Sequence, residues 1–371
     1  MNIGIDAYEA NTPNLVGVGT YGAEIIKYLY RIDKDSDYTI FLPNSPQNDL
    51  PPERNNWHYR VIPSKGLWTF ISLPLGILTN RKKLDIFFSP THYMPRLVKT
   101  PRIVSIMDLS YLHYPEMFRP KDLFKLKKWT AYSVKNAHKI ITISEFSKSE
   151  IIKYYQVSED KIVVTYPGIN ELYKNAKVNP PAGGKKKYNI INDYILFVGT
   201  LQPRKNIIRL LEAYKLASQG EVLQNIDLVI VGKKGWIYTQ IFEKVKVEGL
   251  EGKIKFLDFV SSEDMPYIYS QAKCLVLPSL YEGFGIPVIE AMACGIPTVI
   301  SNTSSLPEVG GNASIFIDPQ NVDSIKNGIL QTLSLSSSAR KNIIEKGYKQ
   351  IEKFSWDKSA QTVLDTLKSI K

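Results

Sequence analysis

The sequence predicts an α/β protein of two domains, each a parallel sheet covered by helices. The chain has 371 residues, which is more than one hydrophobic core normally organises. Short apolar runs alternate with longer amphipathic segments, as they do when helices connect parallel strands. The alternation is interrupted at residues 174–188 (KNAKVNPPAGGKKKY), where paired prolines and paired glycines indicate a linker or surface loop. If two such domains are joined by a linker, we expect a deep cleft between them, and this cleft is the expected ligand-binding site.

The first domain is predicted over residues 1–175. Its strands are short apolar runs, and its helices show apolar residues at three- and four-residue spacing. The predicted strands are Ile3–Ile5, Tyr38–Leu42, Tyr59–Ile62, Asp85–Phe88, Ile103–Ile106, Lys139–Ile143 and Ile162–Thr165. The predicted helices are Tyr21–Tyr30, Lys121–Asn136 and Glu145–Tyr155.

The second domain is predicted over residues 190–355 and repeats the alternation. The predicted strands are Tyr194–Val198, Leu228–Val231, Lys255–Phe256, Cys274–Leu277 and Thr298–Ile300. The predicted helices are Ile207–Ala217, Ile237–Glu248, Met265–Gln271 and Val288–Cys294. In residues 322–371 the apolar residues recur at helical spacing almost throughout, so this part is predicted to be helical. The last helix, about residues 356–371, has an apolar face that includes Trp356 and Leu367. We expect this face to pack back onto the first domain.

Composition and charge narrow the classes of function. A hydrophobic share of 44% with 22% charged residues excludes wholesale disorder and a fibrous repeat. The formal net charge of +11 favours anionic partners, but no basic stripe interleaved with aromatic residues appears, so nucleic acid is not an expected partner. Two cysteines and an N-terminus without a basic signal-peptide region predict a cytoplasmic location.

An anionic membrane surface is a further candidate partner. The first domain carries apolar residues and cations that would suit peripheral attachment to the inner face of a membrane. They are Leu67, Trp68, Phe70 and Ile71, with Arg81, Lys82, Lys83, Lys125, Lys127 and Lys128. The alternative is that the cations are solvated and the apolar residues belong to the core. The apolar stretch of residues 67–78 contains Pro74 and is too short to span a bilayer as a helix.

A G-x-G-x-x-G match at residues 17–22 does not have the context of a dinucleotide site. That fingerprint requires glycines directly after the first strand, whereas residues 7–16 intervene here. We therefore do not expect a nicotinamide enzyme. Two interpretations of Gly17 and Gly19 remain open. Either they let the backbone N–H groups at a helix start approach a phosphate closely, or they are needed because the loop adopts positive φ angles.

Two segments of the second domain carry stronger signals. Arg204 and Lys205 follow the domain's first strand, at the end where ligands bind in such sheets, and an Arg–Lys pair can neutralise a diphosphate. The second segment is the block of residues 278–297 (PSLYEGFGIPVIEAMACGIP), which follows the buried strand Cys274–Leu277. The block begins with a glycine-rich turn, and Pro287 lies where the first residue of a helix is expected. The first N–H groups of that helix would face phosphate oxygens.

The spacing of Glu282 and Glu290 is the E-x7-E motif of retaining glycosyltransferases with the GT-B fold, and the sequence resembles glycosyltransferase family four. The resemblance runs through nearly the whole chain and is closest to bacterial mannosyltransferases of surface-polysaccharide assembly. Further stretches that carry it are Gly199–Asn206, Phe259–Ala272, Ser301–Pro319, Met107–Phe118, Ile141–Ile151 and Phe354–Ala360. It implies two Rossmann-like domains facing each other across the cleft, with the acceptor bound by the first and the nucleotide-sugar donor by the second.

The resemblance also implies roles for individual residues. Arg204 and Lys205 would hold the donor diphosphate and Glu282 would lie beside the sugar and pyrophosphate, so these three are the expected catalytic residues. Glu290 would bind the ribose hydroxyls. The other expected donor-binding residues are Gly17, Gly19, Gly199, Phe284, Gly285 and Ile286. No H-E-x-x-H motif or His–Cys cluster appears in the sequence, so no metal or other cofactor is expected, and the nucleoside-diphosphate sugar is a substrate.

The implied reaction is transfer of a hexose, best taken as mannose from GDP-mannose, to a glycan or lipid-linked acceptor. The family usually has a histidine immediately before Asp108, near the transferred sugar, where this chain has Met107. Met107, Asp108 and His113 are therefore the candidate residues on the acceptor or sugar side, and His92 is the other nearby histidine. The departure leaves two alternatives open: a non-catalytic or altered nucleotide-sugar-binding protein, and a sugar-nucleotide 2-epimerase.

Overall fold

The computed structural model describes residues 1–13, 15, 17–47, 50–64, 66–174, 181, 184–258 and 260–370. The chain forms two compact units. The first unit is Met1–Gly168 with Ser355–Lys371, and the second unit is Ile169–Phe354. The division therefore lies at residue 168, a few residues before the predicted end of the first domain at residue 175. Of the predicted linker, residues 175–180 and 182–183 lie outside the described residues, and Gly184–Tyr188 form a short 3-10 turn.

The first unit contains a seven-stranded sheet whose strands are all parallel. Its strands are β1 (Asn2–Asp6), β2 (Asp37–Leu42), β3 (Trp57–Val61), β4 (Ile86–Ser89), β5 (Arg102–Ser105), β6 (Lys139–Thr142) and β7 (Ile162–Val164). Its helices up to residue 168 are α1 (Val18–Ile32), α2 (Leu73–Leu78), α3 (Ser110–His113), α4 (Pro120–Asn136) and α5 (Glu145–Tyr155). The strand order is β3-β2-β1-β4-β5-β6-β7, so the direction of winding reverses between β1 and β4.

The second unit contains a six-stranded parallel sheet. Its strands are β8 (Asp193–Val198), β9 (Ile226–Val231), β10 (Ile254–Leu257), β11 (Leu275–Leu277), β12 (Thr298–Ser301) and β13 (Ser314–Ile317). The helices from residue 171 onward are α6 (Glu171–Lys174), α7 (Ile207–Ser218), α8 (Thr239–Val247), α9 (Met265–Ser270), α10 (Ile286–Ala293), α11 (Leu306–Gly310), α12 (Val322–Leu333), α13 (Ser337–Ile351) and α14 (Trp356–Ser369). The strand order is β10-β9-β8-β11-β12-β13, with the reversal between β8 and β11.

Every strand and helix predicted from the sequence is present, with ends that differ by a few residues. The prediction missed β13 and the short helices α2, α3, α6 and α11, because elements of four to six residues hold too little of a period to be recognised. No helix within the described parts of the chain is both long enough and apolar enough to cross a membrane.

The last helix, α14, belongs to the first unit and packs against α1. Its buried residues join the apolar core beneath the sheet of that unit. The rings of Trp356 and Tyr21 lie 5.9 Å apart, and Ser359 donates a hydrogen bond to the carbonyl oxygen of Tyr166. The first unit is therefore built from both ends of the chain.

Candidate active site in the second unit

The charged residues predicted from the sequence lie at the reversal of the second sheet. Arg204 and Lys205 follow β8, and Glu282 follows β11, the two neighbouring strands between which the order reverses. Ligands of open parallel sheets bind outside the carboxyl ends of the strands at such a reversal. The topology therefore brings together two segments that lie far apart in the sequence.

Hydrogen bonds fix the loop after β8 against the loop after β11. Asn206 adopts the left-handed conformation with φ 59°, and its side-chain amide donates to the carbonyl oxygens of Pro278 (2.9 Å) and Pro319 (2.7 Å). The N–H of Leu280 donates to the carbonyl oxygen of Arg204 over 2.9 Å. The backbone that carries the two cations is thus held in place without a ligand.

Glu282 binds both cations. Lys205 Nζ lies 2.5 Å from Glu282 Oε1, and Arg204 Nη1 lies 3.2 Å from Glu282 Oε2. Arg204 also donates to the carbonyl oxygen of Tyr281, and Ser279 Oγ donates to Glu282 Oε1 over 2.6 Å. Only 9% of Lys205 and 6% of Glu282 are exposed, so these charges interact in a poorly solvated place where they are screened little.

The protonation of Glu282 follows from its partners. Burial by itself would raise the pKa of the carboxyl group, but Lys205, Arg204 and the hydrogen bond from Ser279 hold it at about 2. The cluster therefore contains two cations and one anion at neutral pH. Its excess of one positive charge suits an anionic ligand.

The start of α10 offers backbone donors beside this cluster. Gly285 precedes the helix with φ 108°, and a Cβ atom at this position would stand 2.7 Å from Leu306 Cδ2, so both the conformation and the space require glycine. The N–H groups of Gly285 and Ile286 donate to no acceptor among the described residues. They are available to an anion at the positive end of the helix dipole.

Phe284 contributes backbone only. Its ring is 2% exposed and packs edge-on against Phe354 with ring centroids 5.2 Å apart. Ser305 Oγ donates to the carbonyl oxygens of Glu282 and Phe284, each over 2.9 Å. The glycine-rich turn is therefore anchored to the loop after β12.

Glu290, one turn inside α10, lies in a different environment from Glu282. Tyr269 Oη donates to Glu290 Oε2 over 2.7 Å. Burial raises the pKa of Glu290 above its ordinary value, although the hydrogen bonds from Tyr269 and Tyr173 oppose that shift. The pKa values of the two carboxyl groups of one motif are thus shifted in opposite directions, because only Glu282 has cationic partners among the described residues.

Sequence reasoning did not identify several residues that support this site. They are Tyr173, Tyr269, Ser279, Ser305 and Asn206, together with Ser304, whose Oγ accepts from the N–H of Glu282 over 3.0 Å. Most of them lie inside the stretches that carry the family resemblance, and this was the only sign of them in the sequence. Gly199 directly follows β8 beside the cluster, and a Cβ atom built at this position would lie 3.4 Å from Lys205 Cε.

The remaining predicted residues lie in the first unit. Gly17 directly precedes α1 with φ 50°. Gly19 lies in the first turn of α1, where a Cβ atom would stand 2.7 Å from the carbonyl oxygen of Glu9. Close packing therefore explains Gly19 without a ligand.

The three candidates on the acceptor or sugar side lie in different surroundings. The side chain of Met107 is 4% exposed and belongs to the apolar core of the first unit, so it presents no surface to a substrate. Asp108 Oδ1 accepts from the N–H of Ser110 over 2.9 Å at the start of α3. His113 Nε2 pairs with Glu150 on α5, which gives the ring a partner within its own unit.

No cluster of three or more histidine, cysteine, aspartate or glutamate side chains that could hold a metal ion occurs in the described ranges.

Comparison with known proteins decides the family. Residues 16–171 match the model "Glycosyltransferase Family 4", and residues 185–350 match "Glycosyl transferases group 1". Over 370 residues the chain is 33% identical to O-antigen chain mannosyltransferase B of Escherichia coli, with 95% of this chain and 96% of that protein aligned. The chain belongs to glycosyltransferase family 4. It is therefore an enzyme that transfers a sugar.

Other members and solved structures extend this comparison. This family 4 enzyme is 30% identical over 260 residues to O-antigen chain mannosyltransferase RfbU of Salmonella typhimurium, covering 70% of this chain and 67% of that one. Sucrose-phosphate synthase of Thermosynechococcus elongatus superposes with a TM-score of 0.79 at 17% identity, over 99% and 98% of the two chains. Anabaena HepE in complex with UDP-glucose superposes with a TM-score of 0.76 at 18% identity, over 100% of each chain. The predicted GT-B fold is confirmed.

Proposed function

We propose that this glycosyltransferase transfers mannose from GDP-mannose to a glycan or lipid-linked acceptor in the synthesis of a cell-surface polysaccharide, with retention of configuration. The mannosyltransferase relatives support the sugar and the pathway. The observation that carries the donor class is the buried cluster of Arg204, Lys205 and Glu282 with its excess positive charge. The bound UDP-glucose of HepE supports a nucleotide-sugar donor. Neither alternative, a non-catalytic protein or a 2-epimerase, is favoured by the family.

In this proposal the charge on the leaving diphosphate is the main quantity that the protein stabilises. Arg204 and Lys205 neutralise the phosphate oxygens, and the N–H groups of Gly285 and Ile286 donate to them. Because Glu282 already fixes both cations, little reorganisation is needed when charge develops. The carboxylate of Glu290 accepts hydrogen bonds from the ribose hydroxyls. An acceptor that attacks from the face that the diphosphate leaves gives retention without a protein nucleophile.

We also propose that the first unit binds the cytoplasmic face of an anionic membrane. Leu67, Ile71, Leu75 and Leu78 are exposed by 60, 50, 55 and 63% at helical spacing, so they form one apolar stripe. The predicted contacts Trp68 and Phe70 are different: Trp68 is 6% exposed and its indole N–H donates to Asp6, and the Phe70 ring packs against Trp129. The Trp68 ring therefore belongs to the interior of the unit, and the half-buried Phe70 ring is in contact with a half-buried tryptophan. The lipid-facing residues proposed here are therefore the four aliphatic ones.

The test is a transfer assay with purified enzyme and lipid-linked glycans extracted from the source cells. GDP-mannose, UDP-glucose, UDP-galactose and ADP-glucose are offered separately, and nucleotide release and product mass are measured with and without acceptor. We expect acceptor-dependent transfer from GDP-mannose, with the anomeric configuration retained by NMR. Formation of a C2 epimer without acceptor would establish the epimerase, and tight donor binding without turnover would establish a non-catalytic protein. Either result refutes the proposal.

A further inference from the structure

Aromatic side chains gather where the first sheet reverses its strand order. That reversal lies between β1 and β4, and ligands of open parallel sheets bind outside the carboxyl ends of the strands at such a point. In the second unit the corresponding place holds the charged cluster. An enzyme that transfers a sugar needs a place for a second substrate as well. The segments after β1, β3 and β4, together with α4, carry the rings of Tyr8, Trp68, Phe70, Tyr93 and Trp129.

Contacts between these rings fix their positions. Tyr8 stacks on Trp68 with ring centroids 5.8 Å apart. Trp129 makes edge contacts with Phe70 and Tyr93, at centroid distances of 4.3 and 5.2 Å. Trp68 and Phe70 belong to one short helical turn, which links the two groups of rings. The aromatic cluster is therefore arranged before any ligand binds.

The cluster is open to solvent. Tyr8 is 39% exposed, and because the buried ring of Trp68 covers one of its faces, the exposed part belongs mainly to the other side. Phe70, Tyr93 and Trp129 are half-buried. The face of an aromatic ring carries negative charge density, so it attracts the weakly positive C–H groups on the apolar face of a sugar. Tyr8 therefore offers a surface on which a sugar ring can stack.

The hydroxyl of Tyr93 supplies a hydrogen-bond donor beside these rings. It has no hydrogen-bond partner among the described residues. Burial, together with the negative charges of Asp122 and Glu9, raises the pKa of Tyr93 to about 12. The hydroxyl is therefore protonated at physiological pH and can donate to an oxygen atom of a ligand.

The charges around the rings favour an uncharged ligand. Glu9 and Asp122 are the two carboxylates that act on Tyr93. Two cations lie over neighbouring rings: Arg96 Cζ is 5.1 Å from the centroid of the Phe70 ring, and Lys125 Nζ is 5.5 Å from that of Trp129. These four charges sum to zero, whereas the cluster in the second unit has an excess of one positive charge. A sugar with free hydroxyl groups suits such surroundings better than a phosphate does.

We propose that an uncharged sugar residue of the acceptor binds at this edge of the first unit, stacked on the exposed face of Tyr8 and hydrogen-bonded to the hydroxyl of Tyr93. This inference rests on the proposed glycosyl transfer, because it assigns a place to the second substrate. It applies to a free glycan and to a lipid-linked one. The phosphate of a lipid-linked acceptor is the competing ligand, and the experiments below separate the two.

Three variants test the contacts by steady-state kinetics. The donor is GDP-mannose, and the acceptor is the lipid-linked glycan extracted from the source cells. Tyr8→Ala removes the stacking surface and should raise the acceptor KM about tenfold, whereas Tyr8→Phe keeps the ring and should leave it near the wild-type value. Tyr93→Phe removes only the hydroxyl and should raise the acceptor KM about fivefold. The KM for GDP-mannose should stay the same in all three. Unchanged acceptor KM values in Tyr8→Ala and Tyr93→Phe would overturn the proposal.

A binding measurement identifies the part of the acceptor that is recognised. Mild acid releases the glycan from its lipid, and the released glycan carries neither lipid nor diphosphate. Calorimetric titration should show that it binds the wild type, and more weakly Tyr8→Ala and Tyr93→Phe, by the same factors as in the kinetics. If inorganic pyrophosphate competes with the lipid-linked acceptor and the released glycan does not, the phosphate is recognised and the proposal is wrong.

Tyr348→Ala is the matched control, since Tyr348 is 43% exposed on α13 in the second unit, and it should change neither KM value. If Tyr8→Ala does not fold, Tyr93→Phe decides the question, because it keeps the ring that packs against Trp129. The titration requires no turnover, so the two proposals fail separately. Wild-type enzyme that transfers mannose while the variants behave normally refutes only the acceptor site. Wild-type enzyme that binds the glycan without transferring mannose refutes only the proposed function.

Discussion

At the scale of single residues, the site is governed by how each carboxyl group is partnered. Glu282 has a pKa of about 2 because two cations outweigh the effect of burial. Glu290 accepts hydrogen bonds from two tyrosines, and burial raises its pKa. A third carboxyl group, that of Asp6 at the end of β1, is also buried, and no cation in the described parts of the chain pairs with it. Its pKa is raised to about 6 by burial, despite hydrogen bonds from Tyr8 and Trp68.

Replacing Lys205 should separate catalysis from stability. Lys205→Met removes charge that stabilises the leaving diphosphate, so kcat should fall by about 10²-fold. It also leaves buried Glu282 with only Arg204 as cationic partner, which should lower the free energy of unfolding by about 3 kcal/mol. Adding Glu282→Gln should recover much of the stability but none of the rate. Steady-state kinetics and urea denaturation measure both effects, and near-normal turnover in Lys205→Met would contradict the site.

Asp6 should make stability depend on pH. Its folded pKa of about 6 lies above the ordinary value of 3.8, so the folded state binds more protons between these values. The free energy of unfolding of the wild type should therefore fall as the pH rises from about 4 to about 6. Asp6→Asn keeps an acceptor for the Trp68 indole and avoids the buried charge. It should be more stable by up to about 3 kcal/mol near pH 7.5 and unchanged near pH 3. Urea denaturation at both pH values tests this, and an equal effect at both would exclude the titration of Asp6.

At the scale of elements, α14 shows how one helix completes a unit that lies far from it in sequence. At the start of α14, Ser355 Oγ accepts a hydrogen bond from the N–H of Lys358. The buried face of α14 includes Val363, Leu364 and Leu367. These residues enter the core formed by α1 and the first sheet. The period of apolar residues predicted this face, because helical spacing shows directly which side is buried.

Shortening a buried side chain on the apolar face of α14 should destabilise the first unit. Leu367 is fully buried, so Leu367→Ala should lower the free energy of unfolding by about 2–5 kcal/mol. Asp365→Ala, on the exposed side of the same helix, should change it by no more than about 0.5 kcal/mol. Hydrogen exchange locates the effect: amides of α1 and β1 should lose protection. Equal effects of the two substitutions would show that the helix does not depend on its apolar face.

At the scale of the whole molecule, the charge is unevenly distributed along the chain. Residues 60–128 contain 13 Lys and Arg but 4 Asp and Glu, and the formal net charge of the chain is +11. The exposed stripe of Leu67, Ile71, Leu75 and Leu78 lies within the same range. An anionic lipid surface would match both properties.

Vesicle binding should therefore depend on both charge and apolar surface. The enzyme should cosediment with phosphatidylglycerol vesicles at low salt, less at high salt, and little with phosphatidylcholine alone. The double variant Ile71→Ser and Leu75→Ser should bind more weakly. Val247→Ser, an exposed position in the second unit, is the matched control and should bind like the wild type. Absence of cosedimentation at every salt concentration would refute the membrane proposal.

The sequence by itself determined the fold class, most of the elements and the family. Alternating apolar runs and helical periods report the local backbone and the buried face of each element, and the E-x7-E spacing is read along one continuous segment. The cations Arg204 and Lys205 were likewise expected at a strand end. These properties depend on neighbours within a few residues, which the sequence displays directly.

Only the tertiary structure decided which side chains meet. The order of the strands brings Lys205 to Glu282 across 77 positions of sequence. That pairing lowers the pKa of Glu282, whereas burial raises the pKa of Glu290. Burial of Met107 beside the ring of His92, and of Trp68 against Asp6, likewise depends on loops that are distant in the chain. Such contacts follow from sheet topology and close packing, which act between segments and leave no period in the sequence.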